Sequence, residues 1–134
     1  MSATIIALAG YIAWTALLLL VLIGYRSMAV AKGEKAANEF KASGDDVSEL
    51  GQRITRAQAN CVESFPVIGG TFLLALAIGH SEITDGLALV VLGARLAQSV
   101  VHILSTAVIA VQLRLLCFLV QLGICGYWLY MIAF

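Results

Sequence analysis

From Met1 to Tyr25 the chain carries no charged side chain, a run long enough for one membrane span of about 20 residues. Arg26 ends it. Lys32 to Gln52 then interleaves Lys32, Glu34, Lys35, Glu39, Lys41, Asp45, Asp46 and Glu49 with small residues, the pattern of a solvated connector. A second apolar run, Val67 to Ile78, follows a polar lead from Arg53 to Pro66, and His80 to Asp85 forms a short acidic turn. Gly86 to Phe134 contains only Arg95 and Arg114 as charged residues, enough length for two further spans with a break near Ser105 to Gln112. The pattern predicts an all-α protein, an integral membrane four-helix bundle of up-down topology in one domain. Its helices fall at about residues 3–30, 46–79, 84–107 and 111–133.

Local signals refine these elements. Asp46 and Glu49 have the Asp-x-x-Glu form of a capping box, so the second helix is expected to begin outside the bilayer. Over its length it would run about 50 Å at 1.5 Å per residue and protrude from the membrane core. Pro66 removes one helical donor and predicts a kink. Gly69 and Gly70 would admit a neighbouring helix. Trp14 lies deep in the first run and is expected in the core.

Composition agrees with the pattern: 61% of residues are hydrophobic, 12% are charged and mean hydropathy is +0.97, whereas a soluble domain has about 25% charged residues. Net charge is zero, so nucleic acid is not an expected partner. Basic residues flank the first and third connectors (Arg26, Lys32, Lys35, Lys41, Arg53, Arg56; Arg114) and are missing from the second and from the C-terminus. Both termini are therefore expected on the non-cytoplasmic side. The N-terminal run has no Lys or Arg ahead of it and reads as a first span, not a cleaved signal. Cys61, Cys117 and Cys125 lie in apolar segments without metal-ligand spacing, and read as free thiols and no metal site.

Chemistry concentrates on two helical faces. Arg53, Arg56, Asn60 and Glu63 fall at i, i+3, i+7 and i+10 on the second helix; Arg95, Gln98, Ser99 and His102 fall at i, i+3, i+4 and i+7 on the third. A charge at bilayer depth costs about 2.5–3.5 kcal/mol on insertion scales, so these stripes should face protein or a wet cavity. Counting helical rise puts Glu63 and Arg95 at similar depth, which suggests an ion pair holding the two helices in register; Glu63 as part of a ligand site is the alternative. Arg53, the shallowest, suits snorkelling to headgroups. Arg56, beside Asn60, suits an anionic ligand. His102 is either a proton carrier or a hydrogen-bonded structural residue, and Gln121, seven residues after Arg114, an interhelical hydrogen bond.

The run Arg56-Ala57-Gln58-Ala59-Asn60-Cys61-Val62-Glu63-Ser64-Phe65-Pro66 closely resembles the Arg-Ala-x-x-Asn-x-x-Glu-x-x-Pro hallmark of the MAPEG family, the membrane-associated proteins in eicosanoid and glutathione metabolism. Arg95-x-x-Gln98-x-x-x-His102 supports it, and Asn38-x-Phe40 resembles bacterial members, implying a bacterial inner membrane. The resemblance covers the whole chain. It implies a homotrimer that binds glutathione between subunits and takes hydrophobic substrate from lipid. By position, Arg56, Gln58, Asn60 and Glu63 would belong to the glutathione site, completed by Arg26 or Lys32 and by Arg114.

Such a site makes chemical sense. Glutathione carries two carboxylates that match the guanidinium fork, and a cation must stabilise its thiolate for attack. This chain departs from the family's better-known branches. Ser64 stands where the leukotriene-synthase branch has tyrosine, and Gln98 and His102 replace the His and Tyr of the prostaglandin E synthase branch. Arg114 follows Arg95 at a longer spacing. Arg114 is thus the first candidate for activating the thiol, with His102 and Ser64 next. The implied function is a membrane glutathione transferase that conjugates lipophilic electrophiles or reduces lipid hydroperoxides. The alternatives are a non-catalytic lipid-binding or scaffold protein on the same fold and, more remotely, an ion relay through Glu63 and Arg95.

Overall fold

The first two helices each begin at a serine whose hydroxyl takes up a free backbone donor and end where the chain can reverse. The computed structural model describes residues 1–45 and 47–134, and among these it contains four helices: α1 (Ala3–Ala31), α2 (Glu49–Ala77), α3 (Glu82–Leu104) and α4 (Val108–Ala133). All four are long and apolar enough to cross a membrane. At α1, Ser2 Oγ accepts from Ile5 N at 3.3 Å while Asp85 Oδ1, reaching over from α3, accepts from Thr4 N at 2.9 Å. Two of the orphan donors of the first turn are so satisfied, one of them by another helix.

α1 and α2 end in the same way. Gly33 and Gly79 adopt φ of 75° and 78°, the left-handed conformation that a residue with a Cβ adopts only at a cost. Glu34 N then bonds Ala29 O at 3.0 Å, and His80 N bonds Ala75 O at 2.9 Å, closing a Schellman motif at each end. This stops α2 at Ala77, two residues before the expected end.

Its start also differs. Asp46 of the expected capping box lies outside the described residues. The cap observed is Ser48, whose Oγ accepts from Gly51 N at 3.2 Å and also contacts the Tyr25 hydroxyl of α1. Gly51 makes this possible: a Cβ there would lie 2.5 Å from the Tyr25 ring. α2 runs without interruption through Pro66, leaving the Val62 carbonyl without its helical donor. The third turn falls three residues earlier than expected. Ser105 takes an extended conformation, and only residues 105–107 separate α3 from α4. No glycine or proline follows to delay α4, so it starts at Val108.

The buried core is drawn from all four helices: Ala7, Tyr11 and Leu18; Cys61, Ile68 and Phe72; Ala88 and Val91; Cys125 and Trp128. Phe72 and Trp128 meet at 5.3 Å between ring centroids, and Trp14 packs against the cluster as expected. α4 rests on α3 and α2, its backbone lying farther from α1. Much of the exposed surface is apolar, including Leu20, Leu104, Val108 and Ile109, as lipid contact requires. The close approach expected at Gly69 and Gly70 takes a different form. Gly69 makes room for the Phe65 ring of its own helix, and Gly70 meets nothing within 4 Å.

Candidate functional site

The polar stripe of α2 is set by helical geometry, and the other elements wall it in. The connector returns over it, the end of α3 lies beside it, and the short turn at 105–107 brings the start of α4 alongside. The result is three cavities that share residues. One, of about 410 Å³, is lined by Thr55, Arg56, Ala59, Asn60 and Glu63 of α2, Ala42 and Ser43 of the connector, and His102 of α3. A second, of about 370 Å³, shares Arg56 and His102 and adds Gln52, Arg53, Thr106 and Arg114. The smallest, of about 150 Å³, shares Asn60 and Glu63 and adds Ser64, Val67, Phe118 and Leu122. The stripe therefore opens on a trough that is cationic where Arg53, Arg56 and Arg114 gather and apolar where Phe118 and Leu122 close it.

Its charges are not mutually satisfied. Among the described residues, neither Arg56 nor Arg114 has a carboxylate within ion-pair distance, and Arg53 Nε is buried without a hydrogen-bond partner. Among the described residues, three guanidinium groups and one carboxylate, Glu63, border the trough. Arg56 is exposed and Arg53 and Arg114 are half-buried; such a cluster of arginines favours an anion, which relieves their mutual repulsion and can accept their forked donors.

The expected Glu63–Arg95 ion pair is not formed. Arg95 is fully buried, and its Nη1 donates to Asn60 Oδ1 at 2.6 Å, while Glu63 is exposed on the open side of α2. The reason is one helical turn. Asn60 precedes Glu63 by three residues, about 4.5 Å of rise, and the depth count from the loops was off by that much. Arg95 is further stabilised by the Tyr11 ring, whose centroid lies 5.5 Å from the guanidinium carbon. The Tyr11 hydroxyl in turn donates to Cys61 O at 2.8 Å. Arg95 Nε and Nη2 have no partner.

The remaining candidates divide. His102, half-buried, borders both larger cavities, and Arg114 borders the second. Ser64 lies at the smallest, its hydroxyl donating to Asn60 O of its own helix at 2.7 Å, so its proton is already engaged. Gln58 lines none of these cavities. Arg26 lies elsewhere, in a groove of about 510 Å³ with Ile23, Ser27, Val30, Ala37, Asn38 and Phe40. There its guanidinium stacks over Phe40 at 5.3 Å and donates to Lys41 O at 3.4 Å. Lys32 is the exposed C-cap of α1 and lines none of these cavities. Gln121 bonds across helices as expected, donating to Gln98 Oε1 at 3.0 Å.

Some lining residues were missed. Arg53 was assigned to headgroups but borders the trough, and Gln52 and Thr106 were not singled out. Gln52 sits four residues before Arg56, a signal the helical period supplied. Thr106 had none, because its position depends on a turn only three residues long.

A family model described as the MAPEG family matches residues 4–134. The chain belongs to the MAPEG family. With four helices able to span a bilayer, MAPEG membership identifies an integral multi-pass membrane protein. It also suggests a membrane glutathione-transferase or eicosanoid-type activity, since MAPEG members generally use glutathione. Neither a curated protein nor a solved structure gives a match that would name a nearer relative.

Proposed function

We propose that this MAPEG chain is a membrane glutathione transferase that conjugates glutathione to lipophilic electrophiles or reduces lipid hydroperoxides. The observation that carries the reading is the trough in which Arg53, Arg56 and Arg114 meet Asn60 and His102 with, among the described residues, no carboxylate paired to Arg56 or Arg114. Glutathione brings two carboxylates for Arg56 and Arg53 and a thiol that must lose its proton. Arg114, beside the thiolate, lowers the cost of that loss. The thiolate then attacks an electrophilic carbon; a C–S bond forms, the leaving group departs with the electron pair, and the thiol proton goes to solvent. With a hydroperoxide, two glutathiones are oxidised to the disulfide while the O–O bond is reduced to alcohol and water. The electrophile arrives from the lipid side, past Val67, Phe118 and Leu122.

The active form is a homotrimer of up-down bundles with both termini on the non-cytoplasmic side, in a bacterial inner membrane. Within one chain Arg26, Lys32 and Gln58 lie outside the trough; in the trimer a neighbouring subunit supplies them. A second reading, a non-catalytic lipid-binding or scaffold protein, is favoured by the apolar end of the trough and by the engaged hydroxyl of Ser64.

Detergent-solubilised protein titrated with glutathione, and assayed with a generic aryl halide, tests the proposal. Arg56→Ala should weaken glutathione binding roughly tenfold to a hundredfold, the worth of a charged hydrogen bond at about 1.5–3 kcal/mol. Arg114→Ala should lower kcat more than it raises KM. If the native protein binds no glutathione, the transferase reading fails and lipid binding takes its place; unchanged affinity in Arg56→Ala removes that residue from the site.

A further inference from the structure

Asn60 sits at the junction of the trough, lining both the cationic cavity and the small apolar one. A primary amide offers one acceptor and two donors, and which end faces a ligand decides whether it attracts or repels an anion. In this chain the choice is made from behind. Arg95 Nη1 donates to Asn60 Oδ1 at 2.6 Å, and a guanidinium has donors only, so no flipped amide can satisfy it. The carbonyl of Asn60 is thereby committed inward, and its N–H groups are what remain for the trough.

We propose that Arg95 is a positioning residue that holds Asn60 as a hydrogen-bond donor toward an anionic group, so that its N–H groups join Arg56 in the cavity both residues line. The proposal rests on the glutathione reading for the identity of the anion. Arg95 is well suited to the task. It is fully buried, with no exposure of its own, so it cannot be drawn out to the ligand. Its guanidinium carbon lies 5.5 Å from the Tyr11 ring centroid, and Tyr11 is tied to the Cys61 carbonyl at 2.8 Å. The residue after Asn60 thus anchors the ring that supports the arginine, and Ser99, one turn on from Arg95, contacts Cys61 Sγ at 3.3 Å. α1, α2 and α3 all contribute to one small assembly whose outward product is the amide orientation. The Arg95 charge itself never reaches the ligand.

Asn60→Asp separates this role from simple packing. The carboxylate keeps an acceptor for Arg95 and the same size, but presents oxygen instead of N–H to the trough. The variant should fold and match or exceed the native thermal midpoint, while its Kd for glutathione rises at least tenfold. The diethyl ester of glutathione, which lacks both carboxylate charges, should lose far less. Arg95→Met should raise KM for glutathione more than it lowers kcat, and Arg95→Lys, which restores a donor, should recover part of the loss. Equal affinity of Asn60→Asp and native protein for glutathione would overturn the proposal, as would equal losses for glutathione and its ester. If the native protein binds no glutathione, the transferase reading falls. The Arg95–Asn60 contact then stands or falls on thermal midpoints: Asn60→Asp at or above native with Asn60→Leu below supports it, and the reverse order refutes it.

Discussion

Replacing Gln121 by leucine tests what holds α4 to the bundle and therefore what places Arg114 at the trough. Gln121 is fully buried; its Nε2 donates to Gln98 Oε1 at 3.0 Å and to Cys117 O at 2.8 Å, while its own Oε1 has no partner. Leucine removes the interhelical bond, worth about 0.6 and at most about 1.7 kcal/mol between membrane helices. It strands Gln98 Oε1, a cost of about 1–3 kcal/mol, but it also removes the stranded Oε1 of Gln121, which returns a similar amount. The two desolvation costs nearly cancel, so Gln121→Leu should destabilise by about 0.5–1.5 kcal/mol.

The double variant Gln98→Leu, Gln121→Leu leaves no orphan on either helix. It should be less destabilised than the sum of the single changes by about 0.6–1.7 kcal/mol. Unfolding in mixed micelles with rising dodecyl sulfate, followed by tryptophan fluorescence, measures this directly. Trp128 reports on the docking of α4 because its ring lies against Phe72 of α2, 5.3 Å away. Additivity of the two single changes to within about 0.3 kcal/mol would refute the reasoning.

Two further outcomes follow from the packing. Thr4→Val deletes a buried hydroxyl that bonds Asp85 Oδ1 and Thr84 Oγ1 at 2.6 Å each, and should cost about 1–2 kcal/mol, read as a lower thermal midpoint; no change would mean that the backbone bond from Thr4 N suffices. Gly51→Ala places a methyl 2.5 Å from the Tyr25 ring and 2.7 Å from Val47, and should destabilise by about 1–3 kcal/mol as α1 and α2 are pushed apart. A midpoint equal to the native one would show that the Tyr25 ring can move aside freely.

Particular residues show where sequence reasoning reached and where it stopped. The polar stripe of α2 was legible because 3.6 residues per turn puts Arg53, Arg56, Asn60 and Glu63 on one face whatever the rest of the chain does. His102 and Arg114 could be named as candidates, but not their adjacency to Arg56, which depends on a turn of three residues. The partner of Arg95 was misjudged because opposite charge pointed to Glu63 while the register of the two helices, set by packing around Cys61, Ile68 and Val91, presents Asn60. Tyr11 gave no warning of its part beneath Arg95. Its neighbours are apolar, and one aromatic in a long span looks like any other.

By itself, then, the sequence determined four membrane-length helices, a solvated basic connector and two polar faces, since all of these are local consequences of side-chain spacing and of the cost of placing charge in hydrocarbon. The tertiary structure alone decided which face meets which. Helix register, the position of the α3–α4 turn and the site of each close approach are properties of surfaces in contact, and a displacement of one turn exchanges a carboxylate for an amide. That exchange left Glu63 at the open trough and committed the Asn60 carbonyl to Arg95, and no count along a single helix contains it.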